Sequence, residues 1–214
     1  IAKESIKDVE ETLLSKRPDI IALELDKRRF YALKYEDKAK TSIKGIGFRG
    51  WLLAWIGSFI QKKLGESVKV KPGSDMKRAI ELADKLKIKI ALIDQNIIIT
   101  TRKISEQLTF REKLRFFGDL FGSMFLKKDL IKIDLTKVPE EKIIRKMTKE
   151  LKIRYPTLYN ILVKERNVFM AQNLYKLMAN NKDKKIVVII GAGHLNDVLN
   201  LVKVYYKRGV KNRF

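Results

Sequence analysis

Three times along the chain, apolar residues recur at helical spacing and are followed by a short, mostly apolar run that leads to a polar residue. In KESIKDVEETLLSKRPDIIALELD, Ile6, Val9, Leu13 and Leu14 share a helical face, Pro18 closes the helix, and Ile20 to Leu25 is an apolar run of strand length. Glu24 and Asp26 then stand at the C-terminal end of that strand. In KPGSDMKRAIELADKLKIKIALIDQNI, Ser74 suits an N-cap, and Met76, Ala79, Ile80, Ala83 and Leu86 form the apolar face. Ile88 to Ile93 makes the strand and Asp94 ends it. The third unit, NVFMAQNLYKLMANNKDKKIVVIIGAGH, predicts a helix to about Met178, a polar turn, a strand from Ile186 to Ile190, and His194 after three small residues.

Repeated helix-then-strand units predict an α/β fold with a mostly parallel sheet flanked by helices, as one domain over residues 1–214. Such a sheet collects the ends of its strands on one edge, where ligands bind in open α/β folds. Glu24, Asp94 and His194 meet there. For any one of them, an ordinary polar loop start is the competing reading.

Two blocks interrupt the repeats and predict a large helical insertion. Residues 46–64, IGFRGWLLAWIGSFIQKKL, place Trp51, Trp55 and Phe59 four apart beside Leu52 and Ile56. A helix apolar on more than one face packs in a core, on a second subunit as in a homodimer, or on a membrane surface; aromatic residues at this spacing favour the first two. Residues 105–160 are helical in pattern, with an amphipathic LTFREKLRFFGDLFGSMF and a helix opened by Pro139 and two glutamates.

Charge adds a question about partners. The 47 Lys and Arg residues outnumber the 25 Asp and Glu, a net +22 that suits nucleic acid or an anionic membrane surface. A lysine-rich coat with no dedicated ligand, as in heat-adapted proteins, explains it equally well. Cysteine is absent, so disulfides and thiolate chemistry are excluded and any metal must be held by histidine, carboxylates or water. No signal peptide opens the chain, and the longest apolar run, residues 51–60, is about half the roughly 20 residues of a spanning helix. The segment therefore reads as soluble. Its start at Ile1, directly in a helical pattern, suggests a natural N-terminus further upstream.

The GAGHLN turn follows a strand as a dinucleotide fingerprint would, but Asn196 stands at the third glycine and no acidic strand end follows. Gly191, Ala192 and Gly193 instead allow close approach of a ligand or backbone and leave the His194 imidazole exposed at the sheet edge, able to move protons or bind a metal. Glu24 and Asp94 would complete a mixed site with open positions for water. As a lone residue, a histidine hydrogen-bonded at a helix start is the commoner case. In VKERNVFMAQNL, the apolar neighbours Leu162, Val163, Phe169 and Met170 are placed to carry Glu165 or Arg166 inward, and a buried arginine needs a carboxylate partner.

Taken together, ELDKRR, the Asp94-ended strand with Thr100 and a basic pair beyond it, the Glu165-Arg166 helix and GAGH resemble the archaeal members of the TraB/PrgY pheromone-shutdown family, in the family's order and over nearly the whole chain. The resemblance implies kinship with proposed metal-dependent hydrolases that include the Tiki proteases. It implies catalytic roles for Glu24, Arg29, Asp94, Glu165, Arg166 and His194, with a divalent ion, zinc or manganese, on His194, Glu24 and a second histidine. That histidine, in a first GxxH motif, would lie on a strand upstream of Ile1, and membrane segments would follow Phe214, anchoring the full-length protein with this domain in the cytoplasm. Gln95, Asn167 and Asp197 depart from the residues common at those positions, which are Arg, Asp and Gly.

The leading expectation is a metal-dependent peptide hydrolase. A peptide- or partner-sequestering module without catalysis competes with it. A basic module for anionic lipid or nucleic acid ranks last, because no nucleic-acid motif accompanies the charge.

Overall fold

A computed structural model describes residues 3–35, 73–125 and 141–211. The aromatic stretch 46–64 and residues 126–140 of the second helical block lie outside them.

Three parallel strands form the sheet: β1 (Ile20–Leu23) in the centre, β2 (Lys89–Leu92) on one side and β3 (Ile186–Ile189) on the other. Ile20 pairs with both Lys89 and Ile186, and the register holds through Leu23 opposite Leu92 and Ile189. All four residues of β1 are buried, as its unbroken apolar run requires of a strand covered on both faces.

Side chains alternate across the sheet, so each strand feeds two apolar layers. Ile21, Leu23, Val187 and Ile189 pack with Leu13 of helix α1 (Lys3–Lys16) and Met76, Ala79, Ile80 and Ala83 of α3 (Ser74–Leu86). Ala22, Ile186 and Val188 face the other way, onto Met170, Ala171 and Leu174 of α8 (Glu165–Asn180) and Val198 and Val202 of α9 (Ala192–Lys211). Between α1 and α3 in the chain lies α2 (Lys27–Lys34).

The helical insertion follows β2. It comprises α4 (Ile97–Gln107), α5 (Phe110–Phe125), α6 (Glu141–Arg154), the short α7 (Pro156–Tyr159) and a π-helical turn, Asn160–Lys164, that runs into α8. A small separate core of Ile104, Leu158 and Ile161 holds it together.

Several local expectations are corrected. Gly73, at φ 86, is the N-cap of α3, and Ser74 is already helical. Leu82 is buried on that helix, whereas Leu86 at its end is 41% exposed, as is nearly half of Leu14 on α1. Both leucines sit in the last turns of their helices. The strands are shorter than their apolar runs, because Leu25, Ile93 and Ile190 belong to the turns that leave the sheet. Among the described residues, no helix is long and apolar enough to cross a membrane.

Candidate functional site

Parallel pairing puts the C-terminal ends of all three strands side by side, and the backbone keeps them joined one step further. Glu24 N–H donates to Ile189 O at 3.1 Å, and Ile93 N–H to Leu23 O at 3.0 Å. Residues far apart in sequence thereby enter one site.

The first contribution is ELDKRR. Asp26 caps α2 through its Oδ1, which accepts from the N–H groups of Arg28 at 2.8 Å and Arg29 at 3.3 Å. This places Arg29 in the first turn, folded back: its Nε donates to Asp26 Oδ2 at 3.0 Å, and its Nη2 to Glu24 O at 2.9 Å and to Asp94 Oδ2.

Arg166 is the hub. A π-helical turn, a distortion that often re-aims side chains at functional sites, delivers it at the start of α8. Its Nε donates to Asp94 Oδ1 at 3.0 Å, its Nη2 to Asp94 Oδ2 at 2.6 Å and Glu24 Oε1 at 2.7 Å, and its Nη1 to Leu162 O at 3.2 Å. The Nη1 edge also lies 3.3 Å from His194 Nε2. Asp94 Oδ1 further accepts from Gln95 N–H at 2.7 Å, so the carboxylate is fully engaged.

GAGH is the start of a helix, not an open loop. Gly191 N–H donates to Glu24 Oε2 at 2.6 Å, and a Cβ on Gly191 would lie 3.1 Å from that oxygen. Close approach thus belongs to Gly191 alone, since a Cβ on Gly193 would meet nothing within 4 Å. His194 lies in the first turn of α9, and its side chain is only 13% exposed. The expected exposed imidazole is corrected: Asn167 and Arg166 of the neighbouring helix close over it. Nδ1 contacts Asn167 Oδ1 at 2.5 Å, Nε2 is 3.6 Å from Glu24 Oε1, and Asn167 Nδ2 donates to Asp197 Oδ2 at 3.0 Å.

The electrostatics follow from this packing. Burial pushes the Asp94 carboxyl up, but the hydrogen bonds and charge of Arg166, aided by Arg29, outweigh it and hold Asp94 below the usual aspartate value. Burial opposes the Arg166 charge, yet Asp94 and Glu24 raise its pKa further. For His194 burial dominates: helped by Arg166 and only partly offset by Glu24, Asp94 and Asp197, it lowers the pKa and favours the neutral imidazole.

Of the six residues predicted for the site, five converge: Glu24, Arg29, Asp94, Arg166 and His194. Glu165 points elsewhere, pairing with Lys103 Nζ at 2.5 Å and accepting from Asn160 Nδ2 at 3.1 Å. Adjacent residues on a helix are about 100° apart, so one of a Glu-Arg pair turns in and the other out. Asp26, Asn167 and Asp197 were not read as site members. The N-cap spacing of Asp26 before KRR was a usable signal for the first; the other two meet only when α8 packs on α9.

The donor set can be tested against a divalent ion. Catalytic zinc takes three protein ligands. Among the described residues no group of three histidine, aspartate or glutamate side chains is placed to hold a metal, and His194 and Glu24 make two. Both Glu24 oxygens are engaged, and a guanidinium sits beside Nε2. The described residues do not by themselves fit a metal.

Between α8, α9 and β3 lies a cleft whose apolar lining includes Ile186, Val188, Ile190, Leu195 and Val202.

The profile of the TraB/PrgY/gumN family matches residues 1–212, and the chain belongs to that family. It is 39% identical over 211 residues to an uncharacterized protein of Methanocaldococcus jannaschii, covering 95% of this chain and 51% of that protein. It is 22% identical over 219 residues to the human TraB domain-containing protein, covering 90% of this chain and 57% of the human one, and equally to the mouse protein. The chain spans about half the length of these relatives.

Proposed function

We propose that the strand-end cluster is a hydrolytic centre acting on an amide bond of a peptide. The observation that carries this reading is an enclosed imidazole, its pKa lowered by burial, set 3.6 Å from a carboxylate and beside a guanidinium. His194 Nε2 would take a proton from water as the water oxygen bonds to the carbonyl carbon, and return it to the amine as the C–N bond breaks. Glu24 would steady the imidazolium between these steps. The positive charge of Arg166, beside Nε2, would stabilise the oxyanion, and Arg29 would hold Asp94 and with it the Arg166 fork. The apolar cleft beside β3 suits the side chains of an extended peptide.

A second reading, capture of a peptide without cleavage, is favoured by the saturation of Glu24 and Asp94 with guanidinium and backbone partners. Pheromone shutdown would follow from either. Association with an anionic membrane, suited to the net charge of +22, and homodimerisation would localise the domain without altering this chemistry.

Mass spectrometry of a peptide library incubated with the purified protein separates the readings. Cleavage lost in His194→Ala supports the hydrolase, and its loss on chelation would assign a metal-dependent route. Stoichiometric binding that leaves every peptide intact overturns it.

A further inference from the structure

We propose that Asn167 and Asp197 are positioning residues that select the tautomer of His194, with the proton on Nδ1 and the lone pair on Nε2. Asp197 is exposed on α9, one turn beyond His194, and an ionised carboxylate only accepts hydrogen bonds. The end of Asn167 that faces Asp197 Oδ2 at 3.0 Å must therefore be the NH₂ group. Asn167 is 2% exposed, so its other end, the carbonyl Oδ1, is left against His194 Nδ1 at 2.5 Å. A carbonyl cannot donate, and Nδ1 must carry the proton.

The opposite side of the ring agrees. Nε2 faces Arg166 Nη1 at 3.3 Å, and a guanidinium only donates. A bare Nε2 accepts that hydrogen, whereas the other tautomer would oppose two donors at Nε2 and two lone pairs at Nδ1. Because Asn167 lies on α8 and His194 on α9, docking of these helices is what sets the tautomer. The consequence for chemistry rests on the proposed use of His194 as proton acceptor: only the bare nitrogen can take a proton, and it is the one beside Glu24 and Arg166.

His194 is the single histidine of this sequence, so long-range ¹H–¹⁵N spectra of labelled protein report its ring directly, with the assignment fixed by loss of the signals in His194→Gln. The wild type should show the Nδ1–H form. Asn167→Ala removes the acceptor at Nδ1 and should raise the Nε2–H population above that of the wild type, against the Arg166 donor that still faces Nε2, and should lower kcat if cleavage is observed. Asn167→Asp should restore Nδ1–H, since a carboxylate also accepts from it. Asp197→Ala, at an exposed position, frees the amide to turn over and should yield a mixture even if Asn167→Ala fails to fold.

A wild-type Nε2–H ring overturns the inference, as does an unchanged Nδ1–H ring in both Asn167→Ala and Asp197→Ala, or in Asp197→Ala when the former does not fold. A correct tautomer without peptide cleavage leaves the inference standing and defeats the hydrolase reading instead.

Discussion

Arg166 holds Asp94 by both ends of its guanidinium fork, Nε to Oδ1 at 3.0 Å and Nη2 to Oδ2 at 2.6 Å, and the Asp94 side chain is 1% exposed. An aspartate this deep is tolerated only because the fork is bidentate and Arg29 closes the remaining side. Asp94→Ala would leave two guanidiniums facing one carboxylate fewer and should cost about 3–5 kcal/mol in chemical denaturation, the range for breaking a buried pair from one side. Arg166→Lys keeps the charge but not the fork and should cost about 2 kcal/mol. Equal stability of Asp94→Ala and wild type would show that the pair is not buried in solution.

Stability should depend on pH in two windows, and the signs are opposite to those of a histidine gaining a salt bridge. His194 has a lowered folded pKa, so the unfolded chain binds its proton first, and stability falls as pH drops below the ordinary value of 6.5 until the folded imidazole also protonates. Asp94 is also lowered, so the stability it contributes is complete above 3.8 and lost as pH falls through its folded value. Urea titrations at stepped pH should show both losses. In His194→Gln the upper one should vanish, with Glu24, Arg166, Asp94 and Asp197 still around the site.

Two glycines of one turn should respond differently. In Gly191→Ala the new methyl would press on Glu24 Oε2, the atom its own N–H binds, displacing the carboxylate from Arg166 and His194 at a cost of about 1–3 kcal/mol. Gly193 is helical and open, so Gly193→Ala should be neutral or stabilise α9 by about 0.5–1 kcal/mol. Melting curves of the two variants provide the comparison. Equal behaviour would mean that Glu24 does not lie against Gly191.

Glu165 gives a control on the proposed chemistry. Its carboxylate is paired with Lys103 at a partly exposed position, so Glu165→Gln should change stability by under about 1 kcal/mol and leave the His194 ring signals in place. Movement of those signals as large as that in Arg166→Lys would place Glu165 in the cluster.

Much of this arrangement was written in local pattern. Apolar runs after Asp19 and Lys185 marked β1 and β3 because a covered strand needs no polar alternation, and a run after Lys87 marked β2 despite the exposed Lys89 within it. Parallel order then followed from the intervening helices and predicted that Glu24, Asp94 and His194 would share an edge. Strand ends and helix caps were less legible: Ser74 and Gly73 are both good caps by composition, and only the φ of 86 at Gly73 chose between them.

By itself, then, the sequence determined the α/β architecture and the edge on which the charged residues collect, since periodicity and strand burial are local consequences of side-chain chemistry. Tertiary structure alone decided who touches whom: that Arg166 turns inward to Asp94 while Glu165 turns out to Lys103, that the imidazole is covered instead of exposed, and that Asn167 and Asp197 meet across two helices. Contacts of this site join residues separated by up to 167 positions through hydrogen bonds, and their geometry depends on helix rotation and packing depth, quantities that no local spacing encodes.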